Sequence, residues 1–160
     1  MFSVTVLAVG RLKEKFYTAA CEEYRKRLGA YCKIEIVELP EKRLPDEPSP
    51  AEIAAALASE GEQILSRIPR GAWVCVLTPE GKLKSSEELA EIIGEMKLSG
   101  KSAACFILGS SFGLAPEVKA RADLRLSMSP MTFPHHLARV MLLEQLYRAQ
   151  NIESGGRYHK

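Results

Sequence analysis

Apolar and polar residues alternate along this chain with two periods, one typical of strands and the other of helices. Residues 2–9 and 33–39 alternate with a period of two, which predicts strands. Residues 15–28 carry apolar side chains at helical spacing, and we expect that helix to end with Gly29 in the C′ position. The four prolines between residues 40 and 50 predict a loop.

The rest of the chain repeats this alternation with more strongly apolar strands. Near-continuous apolar runs predict strands that are buried on both faces. We predict strands at 73–77, 103–108 and 124–128, and helices at 51–67, 85–98, from Pro116, and at 135–150. Ser85 and Glu88 have the spacing of a capping box at a helix start. Strands that alternate with helices predict an α/β fold with a parallel sheet covered on both faces, and 160 residues suit a single domain, 1–160.

Three loops follow the buried strands and should meet at one edge of the sheet, where parallel α/β proteins bind ligands. They are residues 78–82, 109–114 and 129–134, all rich in Gly, Pro, Ser and Thr. In isolation, the glycine loop is better explained as a tight strand-to-helix turn. The 128–133 stretch suits a flat aromatic base held by a few hydrogen bonds, and it suits a turn before a helix equally well.

Composition and charge narrow the class of protein. The chain is 46% apolar and 26% charged, and it has no membrane-length apolar run and no signal peptide, so we expect a cytoplasmic globular protein. The four cysteines lack the spacing of a metal site or a disulfide framework. The net charge is +2, with nine Lys/Arg against six acids in residues 1–43 and seven against three in 119–160. Basic ends are compatible with RNA phosphates and equally with solvated surfaces.

The predicted last helix is apolar almost all round, so it should be buried on more than one side. One sheet covers only one side, which makes a partner subunit a natural second cover. The charged exceptions are Arg139, Glu144 and Arg148. Glu144 and Arg148 have i, i+4 spacing and should pair, although either arginine could instead reach a site at the interface. The last four residues, 157–160, would by themselves be taken for a frayed end.

Several motifs occur together in a characteristic order and spacing. They are Gly81-Lys82 with Ser85-Ser86-Glu87, Ile107-Leu108-Gly109 with Gly113-Leu114, and the run Leu126–His135 followed by Arg139, Glu144-Gln145, Tyr147-Arg148-Ala149 and Tyr158-His159-Lys160. This pattern resembles the ribosomal large-subunit methyltransferase H family, the pseudouridine N3-methyltransferases of the SPOUT superfamily, over essentially the whole chain. One departure is Ser110, which stands where many relatives have a second glycine.

The resemblance implies a Rossmann-like parallel sheet with a C-terminal deep trefoil knot, and a homodimer. It implies S-adenosyl-L-methionine as cofactor, released as S-adenosyl-L-homocysteine, and no metal. Carried over by position, the cofactor contacts would be Leu77, Gly109, Met128, Ser129, Pro130, Met131, Thr132 and Phe133. The implied reaction is methylation of a pseudouridine N3 in the helix 69 stem-loop of 23S rRNA, on the assembled ribosome.

The chemistry needs a group that removes the N3 proton or stabilises the resulting anion. The candidates are His159 as a base, Arg148 and Arg139 as anion stabilisers, and Tyr158 as a stacking or hydrogen-bonding partner. We expect the C-terminal tail of one subunit to complete the site of the other. His135 is assigned to the helix start and His136 to the surface.

Three other functions remain compatible with the sequence. The first is a SPOUT methyltransferase with another target, such as tRNA. The second is a ribosome-associated factor without catalytic activity. The third, a flavodoxin-like nucleotide-binding protein, fits the strand pattern but does not account for residues 126–135.

Overall fold

The computed structural model describes residues 1–160, and every predicted strand and helix is present in it. The strands are β1 (Ser3–Val9), β2 (Lys33–Leu39), β3 (Trp73–Leu83), β4 (Ala103–Leu108) and β5 (Leu124–Ser127). The helices are α1 (Lys15–Leu28), α2 (Pro50–Arg67), α3 (Ser86–Leu98), α4 (Pro116–Arg121) and α5 (His135–Glu153). The largest difference at a helix end is in α5, which continues to Glu153 instead of residue 150.

The five strands form one parallel sheet in the order β2-β1-β4-β3-β5. The predicted α/β class and parallel pairing are therefore confirmed. In this order β3 lies between β4 and β5, so the carboxyl ends of these three strands are neighbours. The loops that follow these three strands consequently emerge at the same edge of the sheet.

Helices cover both faces of the sheet, as the buried strands predicted. On one face, α5 packs between α1 and α3, and on the other face α2 contacts α4. Successive residues of β4 alternate between the two cores, with Phe106 in the first and Ile107 in the second. All four cysteines are buried free thiols within these cores: Cys21, Cys32, Cys75 and Cys105. None of the helices has the length and apolar character needed to span a lipid bilayer.

Strand β3 is longer than predicted, since residues 78–82 were expected to form a loop. Leu77 and Lys82 both align with Leu126 of β5, so the four residues between them bulge out and the strand then resumes. Gly81 makes this close passage feasible because a Cβ there would lie 2.7 Å from the carbonyl carbons of Arg125 and Leu126. Hydrophobic periodicity does not predict such a bulge, because the pairing of β3 beyond it depends on the position of β5.

Two helix ends test the predicted caps. The capping box of Ser85 and Glu88 is confirmed, with the Glu88 N–H donating to Ser85 Oγ at 3.1 Å. The helix of residues 15–28 ends before Gly29 as predicted, but Gly29 is the C-cap residue and not C′. Gly29 has φ −58° and continues the right-handed turn, with its N–H donating to the Arg25 carbonyl at 3.1 Å. The chain instead closes the helix through the N–H groups of Tyr31 and Cys32, which donate to the Leu28 carbonyl.

Candidate active site

The loops after β3, β4 and β5 enclose a cavity of about 620 Å³, which we call the loop cavity. Every predicted cofactor residue except Pro130 lines it; these are Leu77, Gly109, Met128, Ser129, Met131, Thr132 and Phe133. Pro130 is exposed and lies outside this lining. The convergence of three loops from different parts of the sequence is what the parallel sheet predicts at its carboxyl edge.

The glycine loop after β4 is folded tightly onto itself. The N–H of Gly113 donates to the Ser110 carbonyl at 2.9 Å, and the two residues form a short antiparallel bridge. A Cβ at Gly109 would clash with the Gly113 carbonyl and would lie 2.9 Å from Leu114 Cγ. Glycine is therefore required at 109, and its bare backbone lines the loop cavity.

The loop after β5 is held by the hydroxyls of two serines. Ser127 Oγ donates to the Ser129 carbonyl at 3.1 Å, and Ser129 Oγ accepts from the Met131 N–H at 3.0 Å. This turn leaves the Met131 side chain 75% exposed at the cavity. Hydroxyl groups thus fix the backbone while apolar side chains remain available to a ligand.

Several residues of the loop cavity were missed by the sequence reasoning. Glu80 pairs with Lys119 at 2.5 Å, and the hydrogen bond from Lys119, followed by that from Thr78, lowers the pKa of Glu80 to about 2. Phe112 also lines the cavity and is half exposed. Thr78 and Glu80 could have been found from their position in the first loop, whereas Lys119 lies in α4 and gave no signal.

The two histidines at the start of α5 are less peripheral than expected. His135 does begin the helix, but it also lines the loop cavity, with Nδ1 3.4 Å from Ser111 Oγ. Burial, followed by the neighbouring His136, lowers the pKa of His135. The expectation that His136 is a surface residue is wrong, because its side chain is mostly buried and lies 3.6 Å from Glu14. No group of three or more His, Cys, Asp or Glu side chains is arranged to hold a metal ion.

A second cavity, of about 500 Å³, lies along α5, and we call it the α5 groove. Its walls include Tyr24 of α1, Leu89 of α3, and Val140, Met141 and Glu144 of α5. Ser127 and Met128 line both the α5 groove and the loop cavity, so the two cavities share a wall.

Three of the four candidates for catalysis meet beside the α5 groove. Arg148 donates to Glu144 at 2.6 Å, as their spacing predicted, and Tyr158 Oη donates to the same carboxylate at 3.1 Å. The Arg148 guanidinium also lies 4.6 Å from the centre of the Tyr158 ring. Burial, together with the hydrogen bond to Glu144, raises the pKa of Tyr158. The tail is thus anchored to α5 and is not a frayed end.

Both ring nitrogens of His159 are engaged in this arrangement. Nδ1 lies 3.0 Å from Arg148 Nη1, and Nε2 lies 2.6 Å from Glu87 Oε1. Because arginine can only donate, Nδ1 must be the acceptor and Nε2 must carry the proton that Glu87 accepts. The tail conformation therefore leaves His159 without a free basic nitrogen. Glu87 was not predicted as a partner of the tail, since it is 72 residues away in sequence.

Arg139 lies apart from the other candidates. Its guanidinium is buried, donates to Glu38 at 2.6 Å and to the Gly10 carbonyl at 3.1 Å, and so joins α5 to the carboxyl ends of β1 and β2. Burial alone would raise the pKa of Glu38, but the hydrogen bonds from Arg139 and the Leu12 N–H lower it overall.

Comparison with known proteins identifies the family. The family model described as "Predicted SPOUT methyltransferase" matches residues 2–159. The chain is 49% identical over 159 residues to "Ribosomal RNA large subunit methyltransferase H" of Pelotomaculum thermopropionicum, covering 99% of each chain. It is 48% identical over 160 residues to the protein of the same name from Moorella thermoacetica, covering 100% of both.

Solved structures share the fold at much lower sequence identity. A probable methyltransferase from Bordetella pertussis superimposes with a TM-score of 0.58 at 16% identity, covering 93% of this chain and 96% of that one. A probable methylase family protein from Haemophilus influenzae gives 0.56 at 12% identity, covering 99% and 71%. By its sequence, the chain belongs to the SPOUT methyltransferase family, among the proteins named ribosomal RNA large subunit methyltransferase H.

Proposed function

We propose that this protein transfers a methyl group from S-adenosyl-L-methionine to N3 of a pseudouridine in the helix 69 stem-loop of 23S rRNA. The observation that carries the proposal is the shared wall of the two cavities. Ser127 and Met128 separate a loop cavity suited to a nucleoside cofactor from the α5 groove. Beside that groove lie Arg148, Tyr158 and His159, which we call the tail cluster. A methyl donor on one side and a reacting base on the other would be in the proximity that transfer requires.

The loop cavity fits the cofactor by size and by its chemistry. At Gly109 the backbone is bare, and a Cβ there would clash with the Gly113 carbonyl. Met128, Met131 and Phe133 provide apolar cover for an adenine ring, while backbone groups of the loops are available to its edge. When bound, S-adenosyl-L-methionine supplies an electrophilic methyl group on a sulfonium. The residues of the cavity would bind and orient it and exclude water.

We also propose that the C-terminal part of the chain threads a loop to form a deep trefoil knot. Support comes from the bulge of β3, whose residues Leu77 and Lys82 both align with Leu126. The segment between them bulges out of the pairing, and Gly81 lies against the backbone of Arg125. After denaturation, a slow refolding rate that does not depend on proline isomerisation would support this topology.

A homodimer would bury the apolar side of α5 and place the reacting base at the seam between the two subunits. The half-buried apolar side chains of Val140 and Met141 line the groove together with Glu144, whose carboxylate pairs with Arg148. A second copy would bring its own tail close to the loop cavity of the first. The Met141→Lys variant should then be monomeric in light scattering, while Lys101→Glu, at an exposed position away from α5, should leave the oligomeric state unchanged.

Removal of the N3 proton is the step assigned to the tail cluster. Arg148 would stabilise the N3 anion, and Tyr158 would stack on or donate to the base. His159 would accept the proton after Nδ1 exchanges Arg148 for the substrate, with Glu87 still accepting from Nε2. Arg139 is buried apart from the tail, where it donates to Glu38 and Gly10, so we assign anion stabilisation to Arg148, which contacts Tyr158 and His159.

The test is methyl transfer to ribosomes from a strain that lacks this gene, followed by mass-spectrometric mapping of the modified nucleotide. We expect one methyl group on a helix 69 pseudouridine of 23S rRNA and little transfer to the isolated stem-loop, because a net charge of +2 provides little general affinity for RNA. Methylated tRNA instead would establish a different target. Failure of S-adenosyl-L-methionine to bind in calorimetry would favour a factor without catalytic activity.

A further inference from the structure

The segments that follow β1 and β2 carry a local excess of positive charge. Residues 10–16 and 40–45 together hold five Lys/Arg against two acids, whereas the whole chain has an excess of only two cations. These segments leave the same edge of the sheet, because β1 and β2 are parallel neighbours. All five cations are exposed and none forms an ion pair; they are Arg11, Lys13, Lys15, Lys42 and Arg43.

The backbone of the first segment is held in place by Leu12. Its N–H donates to Glu38 Oε2 at 3.1 Å, and its side chain packs against the core. Arg11 and Lys13, on either side of it, remain exposed. The two cations are therefore presented to solvent from a fixed backbone, which lowers the entropy lost when they bind an anion.

Two of the three acids beside these cations already have partners. Glu38 lies 2.6 Å from Arg139, and Glu14 lies 3.6 Å from His136. Glu41 is the third, and it is exposed and forms no ion pair. One unpaired carboxylate cannot neutralise five cations, so this surface attracts anions.

An exposed aromatic ring adjoins the cations. Phe16 is 66% exposed, and the centre of its ring lies 4.4 Å from that of Tyr17. The Tyr17 ring lies 6.1 Å from His136, whose ring is 4.2 Å from that of His135. Because His135 lines the loop cavity, a row of four rings leads from the exposed Phe16 to that cavity.

We propose that this surface, which we call the basic patch, binds a part of the substrate RNA other than the reacting nucleotide. The basic patch consists of Arg11, Lys13, Lys15, Phe16, Lys42 and Arg43. Unpaired Lys and Arg side chains bind phosphates with release of counterions, and an exposed aromatic ring can stack on an unpaired base. Cations combined with a stacking ring are typical of surfaces that bind single-stranded or looped RNA. The inference rests on the proposed RNA substrate and adds a contact outside the loop cavity and the α5 groove, since no residue of the patch lines either.

The test compares two triple variants that lose the same charge. The patch variant lacks three cations of the basic patch, through Arg11→Gln, Lys13→Gln and Lys15→Gln. The control variant lacks three exposed cations at the opposite edge of the sheet, through Lys33→Gln, Arg67→Gln and Arg70→Gln. Methyl transfer and co-sedimentation are both measured with ribosomes from a strain that lacks this gene.

For the patch variant we expect the KM for ribosomes to rise about tenfold or more at about 0.1 M salt, with kcat within about twofold of the wild type. The slope of log KM against log salt concentration should fall by about two, because each lost phosphate contact removes about one. The control variant should match the wild type in KM and in slope. Calorimetry should give both variants the wild-type affinity for S-adenosyl-L-methionine.

The aromatic part of the patch is tested separately. Phe16→Ala should weaken co-sedimentation with ribosomes about fivefold or more, and Phe16→Tyr, which keeps a stacking ring, should retain wild-type binding. Both proteins should keep the oligomeric state of the wild type in light scattering.

Equal KM values and salt slopes for the two triple variants would overturn the inference. A change of oligomeric state in Phe16→Ala would also overturn it, since the patch would then be a contact between subunits. A wild-type protein that does not methylate ribosomes would refute the proposed function, while co-sedimentation of the two triple variants would still decide whether the patch binds RNA.

Discussion

The guanidinium of Arg139 lies 2.6 Å from the carboxylate of Glu38, across 101 residues of sequence. The pair is unequally buried, with 3% of the Arg139 side chain exposed and 40% of the Glu38 side chain. It fixes the start of α5 to the carboxyl end of β2, and Arg139 also holds the Gly10 carbonyl after β1. The site is thus supported by a contact between the first and last parts of the chain.

Because of this asymmetry, we expect substitution of the two partners to reduce the free energy of unfolding by different amounts. Glu38→Ala leaves a buried cation without its counter-charge and should cost about 2–4 kcal/mol of the free energy of unfolding. Arg139→Met leaves a carboxylate that can turn to water and should cost about 1–2 kcal/mol. Urea unfolding at neutral pH measures both, with Glu35→Ala, at an exposed position of β2, as the control. The reverse order of costs would contradict the account.

The lowered pKa of His135 predicts that the protein loses stability in mild acid. Its pKa is lowered in the folded state, so the unfolded state binds more protons in the pH range between the two pKa values. Stability should therefore be complete above about pH 6.5, the ordinary pKa of histidine, and should decline as the pH falls below it. His135→Asn should flatten this decline in thermal unfolding curves, whereas His159→Gln, in the C-terminal tail, should keep it.

Gly109→Ala should impair cofactor binding more than folding. The added methyl group meets the Gly113 carbonyl, so the glycine loop must shift, and we expect at least a tenfold weaker affinity for S-adenosyl-L-methionine, or about 1.4 kcal/mol. Gly94→Ala in α3 is the control, because its Cβ would make an ordinary contact of 3.5 Å with Glu153. That variant should gain about 0.5–1 kcal/mol in stability and bind normally.

Removal of residues 157–160 should abolish methyl transfer while cofactor affinity stays within about twofold. The deletion removes His159 and Tyr158 from Arg148 and Glu144 but leaves the lining of the loop cavity intact. His159→Gln should lower kcat by about 10²-fold or more, as expected for a positioned proton-transfer group. Tyr158→Phe removes the hydroxyl that would donate to the base and should also lower kcat. The control is Arg157→Gln, since Arg157 is exposed. Full activity in the truncated protein would exclude the tail from catalysis.

The four cysteines should be unreactive in the native protein. Burial raises the pKa of each thiol, to about 11 for Cys32 and to about 12 for Cys105, so very little thiolate is present at neutral pH. A colorimetric thiol reagent should label no cysteine at pH 7 and all four after denaturation. Rapid labelling of one thiol under native conditions would show that its part of the core opens locally.

Local sequence patterns were sufficient to predict the strands and helices. Strand β4 was predicted with its observed bounds because an apolar run between turn residues is typical of a strand buried on both faces. The length of β3 was not predictable in the same way, because Lys82 and Leu83 pair with a strand more than forty residues later. The convergence of Leu77, Gly109 and Thr132 on one cavity followed from the rule for parallel sheets.

By itself, the sequence determined the order of strands and helices and the loops that form the site, since both depend on periodicity and turn residues over short distances. The tertiary structure alone decided which polar groups meet. The pairs of Glu38 with Arg139 and of Glu87 with His159 join segments that are far apart in sequence. Such contacts depend on the strand order β2-β1-β4-β3-β5 and on the packing of α5 between α1 and α3, which no local pattern encodes.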